Sequence, residues 1–199
     1  MSLQGDDAER YQSLARLPIE GQLHALPAAH FIGVAERAKI VAHIDRQMLA
    51  RAIAVLDRRQ RGGRRTELFV SQSAHLNQDP KRLSWVDQLL KLRQIVPRNI
   101  VLEFNAEALV EHSDSITAIT ELRQLSVGLS IAGLTASESH WELIESLQPS
   151  YAKLLPLNSQ RDNSHISRFV KRLHAENLKV IMPTVEDART AASLSLIHI

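Results

Sequence analysis

The chain has 199 residues, 44% hydrophobic and 23% charged, which suffices for one well-packed domain and leaves little room for a second. Its formal net charge of +2 is too small to mark a polyanion-binding protein, so only local clustering of charge carries information. The absence of cysteine excludes a disulfide framework and a thiolate metal site and fits a reducing compartment.

In chain order, Glu9 to Arg16 alternates Tyr11, Ser13 and Ala15 against Gln12, Leu14 and Arg16, the pattern of a short strand that places Gln12 and Arg16 on one face. A polar face on a buried strand points to a site. Pro27 opens a short helical segment. From Lys39 to about Gln60, apolar residues at Ile40, Ile44, Met48, Leu49, Ala52, Ile53 and Leu56 form the stripe of an amphipathic helix, which Gly62-Gly63 stops. Leu68 to Val70 is a strand core, Leu83 to Leu92 a helix, and Ile100 to Phe104 a strand after Pro97.

The second half repeats the rhythm. Asp114 or Ser115 caps a helix carrying Ile116, Ile119, Leu122 and Leu125, before a strand at Val127 to Ile131. A helix with Trp141, Ile144 and Leu147 leads to a strand at Tyr151 to Leu155. A helix with Ile166, Phe169, Val170 and Leu173 leads to a strand at Leu178 to Met182, and a last helix follows Thr184. About six strands alternating with helices are the pattern of a parallel α/β fold, and the pattern leaves a doubly wound sheet and a (β/α)₈ barrel both open. No apolar run approaches the roughly 20 residues of a membrane span, and Asp6, Asp7 and Glu9 are unlike a signal peptide. A cytoplasmic location without membrane insertion is expected.

Several motifs carry a resemblance. Tyr11-Gln12-Ser13-Leu14-Ala15-Arg16 resembles the Tyr-Glu-Ala-Leu-Leu-Arg signature of the EAL domain, the bacterial fold that binds and often hydrolyses cyclic di-GMP. Pro27-Ala28-Ala29-His30-Phe31-Ile32-Gly33-Val34-Ala35-Glu36 is similar to that family's Pro-x-x-Phe-Ile-x-x-Ala-Glu. Leu122 to Val127 resembles Leu-Arg-x-Leu-Gly-Val, Tyr151-Ala152-Lys153 falls where the strand with the catalytic lysine belongs, and Lys179-Val180-Ile181 where Lys-Val-Ile belongs. The resemblance implies the TIM-like (β/α)₈ barrel, incomplete at both ends with about six strands present. Ser2 to Asp6 resembles the turn after the family's first strand, so Met1 is expected to be an internal start. Residues 1–193 are then an EAL domain fragment. Leu194-Ser195-Leu196-Ile197-His198-Ile199 is what a transposase sequencing adapter encodes, and a non-native tail is expected there in preference to an ordinary alternating strand. Open edges make such a fragment poorly stable alone.

The same resemblance implies a site at the C-terminal strand ends where acidic residues and an Asn hold two divalent cations that activate a water. Position by position, the first Glu falls on Gln12 and the Asn on Ser71; one Glu is kept as Glu103 and another meets Ala106. The Asp pair falls on Ala132 and Gly133, and the Asp two residues beyond the retained Lys153 on Leu155. One late Glu meets Pro183 and the last is kept as Glu186. An amide, an Ala, a Gly and a Pro at acidic positions do not hold two hard cations, so neither phosphodiesterase activity nor a divalent metal is expected.

Recognition is what remains. The expected contacts to cyclic di-GMP are Gln12, Leu14, Arg16, Phe31, Glu103, Lys153 and Glu186, with Arg16 and Lys153 supplying positive charge. Phe31 either stacks a guanine or packs beneath its loop, and Glu103 either faces the ligand or pairs with Lys153. Among degenerate members, Ser2 to Asp6, Glu9 to Gln12 and the loss of the Asp pair are similar to regulators of type IV pili and twitching motility. Those bind cyclic di-GMP without hydrolysing it and signal to a PilZ-type adaptor. Two alternatives stay open: an active phosphodiesterase recruiting Glu107 or Glu138, and an interaction scaffold that has lost the nucleotide. Arg58, Arg59, Arg61, Arg64 and Arg65 read as a solvated helix end, and with aromatics at only 4% no nucleic acid is expected as a partner. The nine histidines show no His-Glu-x-x-His pattern that points to zinc.

Overall fold

A computed structural model of the chain describes residues 8–21, 23–75, 79–155 and 163–182. Its frame is one parallel sheet of six strands in the order β1 (Glu9–Ser13), β4 (Thr66–Ser71), β5 (Ile100–Asn105), β6 (Gly128–Leu134), β7 (Tyr151–Leu154) and β8 (Lys179–Ile181). A two-residue antiparallel pair, β2 (Arg16–Leu17) with β3 (Leu26–Pro27), stands apart from it. Seven helices are described: α1 (Ile32–Arg37), α2 (Val41–Arg61), α3 (Arg82–Leu92), α4 (Ala106–Glu111), α5 (Ser115–Arg123), α6 (Glu138–Leu147) and α7 (Asn163–Ala175).

Alternation decides what each strand face meets. Leu68, Val70, Ile100, Leu102, Phe104, Leu129, Ile131, Ala152 and Leu154 join Leu49, Ile53, Val86, Ile119, Ile144 and Leu173 of the helices in one core between sheet and helices. The residues between them face the other way. Phe69, Val101 and Tyr151 form a separate small cluster there, with the Phe69 and Tyr151 rings edge to face at 4.9 Å.

That inner face shows that the sheet curls. The Tyr151 hydroxyl donates to the Glu67 carboxylate although β7 and β4 are three strands apart, about 14 Å in a flat sheet. Lys153 of β7 reaches Gln12 of β1 at 2.9 Å, across four strand spacings that span about 19 Å when flat. Only a curled sheet brings these partners within reach. The architecture is a parallel half-barrel with helices outside, consistent with an incomplete TIM-like barrel of six strands.

Burial first, and then the bond to Glu67, pushes the Tyr151 phenol up to about 12. An ultraviolet titration of the folded chain should therefore show one of the two tyrosines ionising late, about two units above the usual value near 10. A group whose folded value is raised contributes stability that is complete below pH 10 and is lost as pH rises through about 12. Tyr151→Phe should remove that late step and flatten the alkaline loss.

The first strand is shorter than its alternation suggests. Pairing of β1 with β4 ends at Ser13 opposite Val70, and after Leu14 and Ala15 the chain enters β2, where Arg16 faces Pro27. Gln12 and Arg16 therefore lie on different ladders. Period-2 patterning cannot see this break, because two short strands in succession alternate as one long strand does. Pro27 lacks an N–H and precedes a 3₁₀ turn at Ala28–His30, which leads into α1.

Other boundaries moved less. Lys39 lies between α1 and α2 with φ of 57°, so the long helix begins at Val41. Asp114 precedes α5 without a side-chain capping bond, while the Ser115 hydroxyl donates to the Ala74 carbonyl. The expectations for residues 1–7, for Pro183 and Glu186, for a helix after Thr184 and for a tail at 194–199 lie outside the described residues.

Candidate functional site

Gln12, Ser71, Glu103 and Lys153 meet at the C-terminal ends of β1, β4, β5 and β7, the end at which this architecture carries its sites. The parallel register sets Ser71 beside Glu103, and Ala132 of β6 lies between Asn105 and Lys153. Glu103 is the hub. It is 5% exposed, and its carboxylate accepts from Gln12 Nε2 at 2.8 Å, from Ser71 Oγ at 3.4 Å and from Lys153 Nζ at 3.4 and 3.5 Å.

Gln12 closes the network. Its amide donates through Nε2 to Glu103 and accepts through Oε1 from Lys153 at 2.9 Å. An ionised glutamate in its place has no proton to donate and would set a second carboxylate against the first, a repulsion that a shared proton or added positive charge would have to offset. The amide removes that repulsion. Lys153 already neutralises Glu103, so Gln12, Ser71, Glu103 and Lys153 each have a partner within the protein.

Ala132, Gly133 and Leu155, three further positions of the implied metal site, supply no ligand. Ala132 has no donor atom. Gly133 has φ of +77°, within a register shift of β6, and a Cβ built there would stand 3.2 Å from Asn105 Nδ2. An aspartate at 133 would have to be accommodated on that left-handed backbone. Leu155 is apolar and 49% exposed. Among the described residues, one carboxylate bonded to an ammonium, an amide and a hydroxyl does not fit a pair of divalent cations, which take several hard oxygen ligands. Among the described residues no three of His, Cys, Asp and Glu are grouped so as to hold a metal ion.

Glu107 and Glu138 do not join this cluster. The Glu107 carboxylate lies 3.4 Å from Nε2 of the buried His140, whose Nδ1 accepts from the Thr135 N–H at 3.0 Å. Glu138 is exposed at the start of α6, where the Ser137 hydroxyl accepts from the His140 N–H.

Of the sequence-derived ligand contacts, the structure brings Gln12, Glu103 and Lys153 together and leaves three others apart from their network. Arg16 is exposed on β2, and its guanidinium bonds only the Ala15 carbonyl among the described residues. Leu14 is exposed between the two ladders. Phe31 is half-buried ahead of α1 and belongs to neither buried cluster. Glu186 lies outside the described residues.

Ser71 is a member that the sequence reading set down only as a lost Asn. Its place in the motif was the available signal, since a hydroxyl beside an inward carboxylate still donates. Asn105 was missed too. Its side chain accepts from Ala108 N–H at 3.0 Å and caps α4, a helix too short to show periodicity.

Comparison with known proteins places this arrangement. A 76.5 kDa protein of Thiocystis violacea, encoded in the phbC 3′ region, is 28% identical over 198 residues; the match covers 96% of this chain and 28% of that protein. The chain thus spans little more than a quarter of that curated relative. The FimX EAL domain from Pseudomonas aeruginosa, solved bound to c-di-GMP, superposes with a TM-score of 0.87 at 25% identity, covering 99% of this chain and 81% of that one. The phosphodiesterase PaMucR in its c-di-GMP complex gives 0.81 at 20% identity, over 94% of this chain and 78% of that one, a likeness of fold alone. No helix among the described residues is long and apolar enough to cross a membrane. A family model for the EAL domain matches residues 1–199, and with the half-barrel and the residues at its mouth this establishes that the chain belongs to the EAL domain family.

Proposed function

We propose that this chain is a receptor module that binds cyclic di-GMP without hydrolysing it and without a divalent metal. The observation that carries the reading is the bond pattern around Glu103, in which Gln12 and Lys153 occupy the carboxylate that a metal pair would need. Likeness to the FimX EAL domain solved with c-di-GMP supports the choice of ligand. Without cations, side chains offset more of the two phosphate charges. Arg16 is unpaired with any carboxylate among the described residues and so is available for a phosphate, and Lys153 contributes a second positive charge at the mouth. Phe31, half-buried near β3, supplies a ring for a guanine, and Leu14 and Glu186 complete the contacts.

Recognition without turnover suits signalling. The partner implied is a protein, of the PilZ adaptor type, in the control of type IV pili and twitching motility in the cytoplasm. The experiment has two arms. Calorimetric titration of cyclic di-GMP into the full chain in EDTA should give saturable binding, and incubation with Mg²⁺ or Mn²⁺ should leave the nucleotide cyclic. Metal-dependent appearance of the linear dinucleotide would overturn the reading, as would absence of binding by a folded protein in EDTA.

A further inference from the structure

A concavity lies at the opposite end of the barrel. It is a cavity of about 430 Å³ at the N-terminal ends of β4 and β5 and the C-terminal end of α2, with Gln60, Arg64, Arg65, Glu67, Arg98 and Asn99 in its wall. That volume is in the range of small-molecule sites. Nothing in the reading of the mouth uses it, since Gln12, Ser71, Glu103 and Lys153 stand at the other ends of their strands.

Among the described residues its charge is unbalanced. The described carboxylates nearby in the fold are already engaged: Glu67 by Arg10 at 2.8 Å and by the Tyr151 hydroxyl, Glu9 by Arg59, and Asp57 by Arg61 at 2.6 Å and Arg93 at 3.2 Å. Arg64, Arg65 and Arg98 are exposed and make no ion pair or side-chain hydrogen bond among the described residues. On a chain whose net charge is only +2, three guanidinium groups on one cavity with no carboxylate partner among the described residues are a local excess.

A helix end does not account for them. Arg58, Arg59 and Arg61 are in the last turn of α2, where cations offset the helix dipole, but Arg64 and Arg65 lie beyond the Gly62 cap. Arg98 comes from the separate turn before β5. The carbonyls at the end of α2 are also satisfied locally, by Gly62 N on Arg58, Gly63 N on Gln60 and Arg64 N on Arg59. The Asn99 side-chain amide, in the same wall, has no hydrogen bond among the described residues.

We infer that this cavity is a second anion site, which takes a small molecule bearing a di- or triphosphate group. Three guanidinium forks match the charge and the oxygen geometry of linked phosphates, and the amide of Asn99 adds a neutral donor. The concavity favours a compact ligand. A nucleic-acid backbone is better tracked by a groove or an extended basic stripe.

The test uses inorganic pyrophosphate as the probe, titrated calorimetrically into the full chain at low ionic strength. Saturable binding is expected. Arg64→Ala with Arg98→Ala should weaken it by about tenfold or more, while Arg16→Ala leaves it unchanged. Both cavity residues are exposed, so the double variant should keep the wild-type thermal unfolding curve, which checks that lost binding is not lost fold. Failure of pyrophosphate to bind would overturn the inference. So would binding that survives the double variant, or binding abolished by Arg16→Ala. Tighter binding of a duplex DNA oligonucleotide than of pyrophosphate, with a steep salt dependence, would replace the small-molecule site with a backbone-binding surface.

Discussion

Arg16→Ala is expected to weaken cyclic di-GMP binding by about 10- to 100-fold in a titration carried out in EDTA, because a hydrogen bond to a charged group contributes roughly 1.5–3 kcal/mol. The variant is informative because little else depends on that side chain. Arg16 is exposed, its only bond among the described residues is to the neighbouring Ala15 carbonyl, and its removal strands no buried charge. Lys153 is different. Its ammonium neutralises the buried Glu103 and bonds Gln12, so Lys153→Ala should lower both affinity and the unfolding midpoint, whereas Arg16→Ala lowers affinity alone. An unchanged affinity for Arg16→Ala would remove Arg16 from the ligand contacts and turn attention to Lys153 and Phe31.

Asp45→Ala should cost about 3–5 kcal/mol of stability in urea unfolding, the range for deleting one member of a buried ion pair. Asp45 and Arg82 are each 5% exposed, and their side chains meet at 3.3 Å. The same carboxylate oxygen accepts from the Ser73 N–H at 3.0 Å and the Ser73 hydroxyl at 2.6 Å. Alanine leaves Arg82 with the Gln72 side-chain Oε1 at 3.5 Å and the more distant Asp79 at 3.9 Å, and leaves the Ser73 N–H without its acceptor. Asp79 is already held by Nε and Nη2 of Arg46, at 2.5 and 2.7 Å, and cannot turn to Arg82 without releasing them. The effect should extend to the mouth of the barrel, since Ser73 follows β4 two residues after Ser71, which donates to Glu103. A loss below about 1 kcal/mol would mean that the loop rearranges to bring Asp79 to Arg82.

The sheet and its helices were legible because their signals are local. Leu68 to Val70, Ile100 to Phe104 and Tyr151 to Leu154 are apolar and alternate, and α2 carries its stripe from Ile44 to Leu56. Motif order also carried the family, because residues such as Gln12, Glu103 and Lys153 keep their places relative to their strands even where their chemistry has changed. The cavity at the far end was not legible. Arg64 and Arg65 read as a continuation of a basic helix end, and only folding sets Arg98, more than thirty residues later, on the same wall.

By itself, then, the sequence determined the succession of the six sheet strands and the longer helices, the EAL family and the absence of acidic side chains at Gln12, Ala132 and Gly133. Residue identity and short-range periodicity suffice for those. How Gln12, Glu103 and Lys153 bond to one another was decided by tertiary structure alone. Gln12, Glu103 and Lys153 are separated by 91 and 50 residues, and curling of the sheet brings them within hydrogen-bond distance. The break after Ser13 was decided there as well, because a strand continues only as far as a neighbour supplies its hydrogen bonds, and β4 supplies them to Ser13 while Arg16 finds its partner in Pro27.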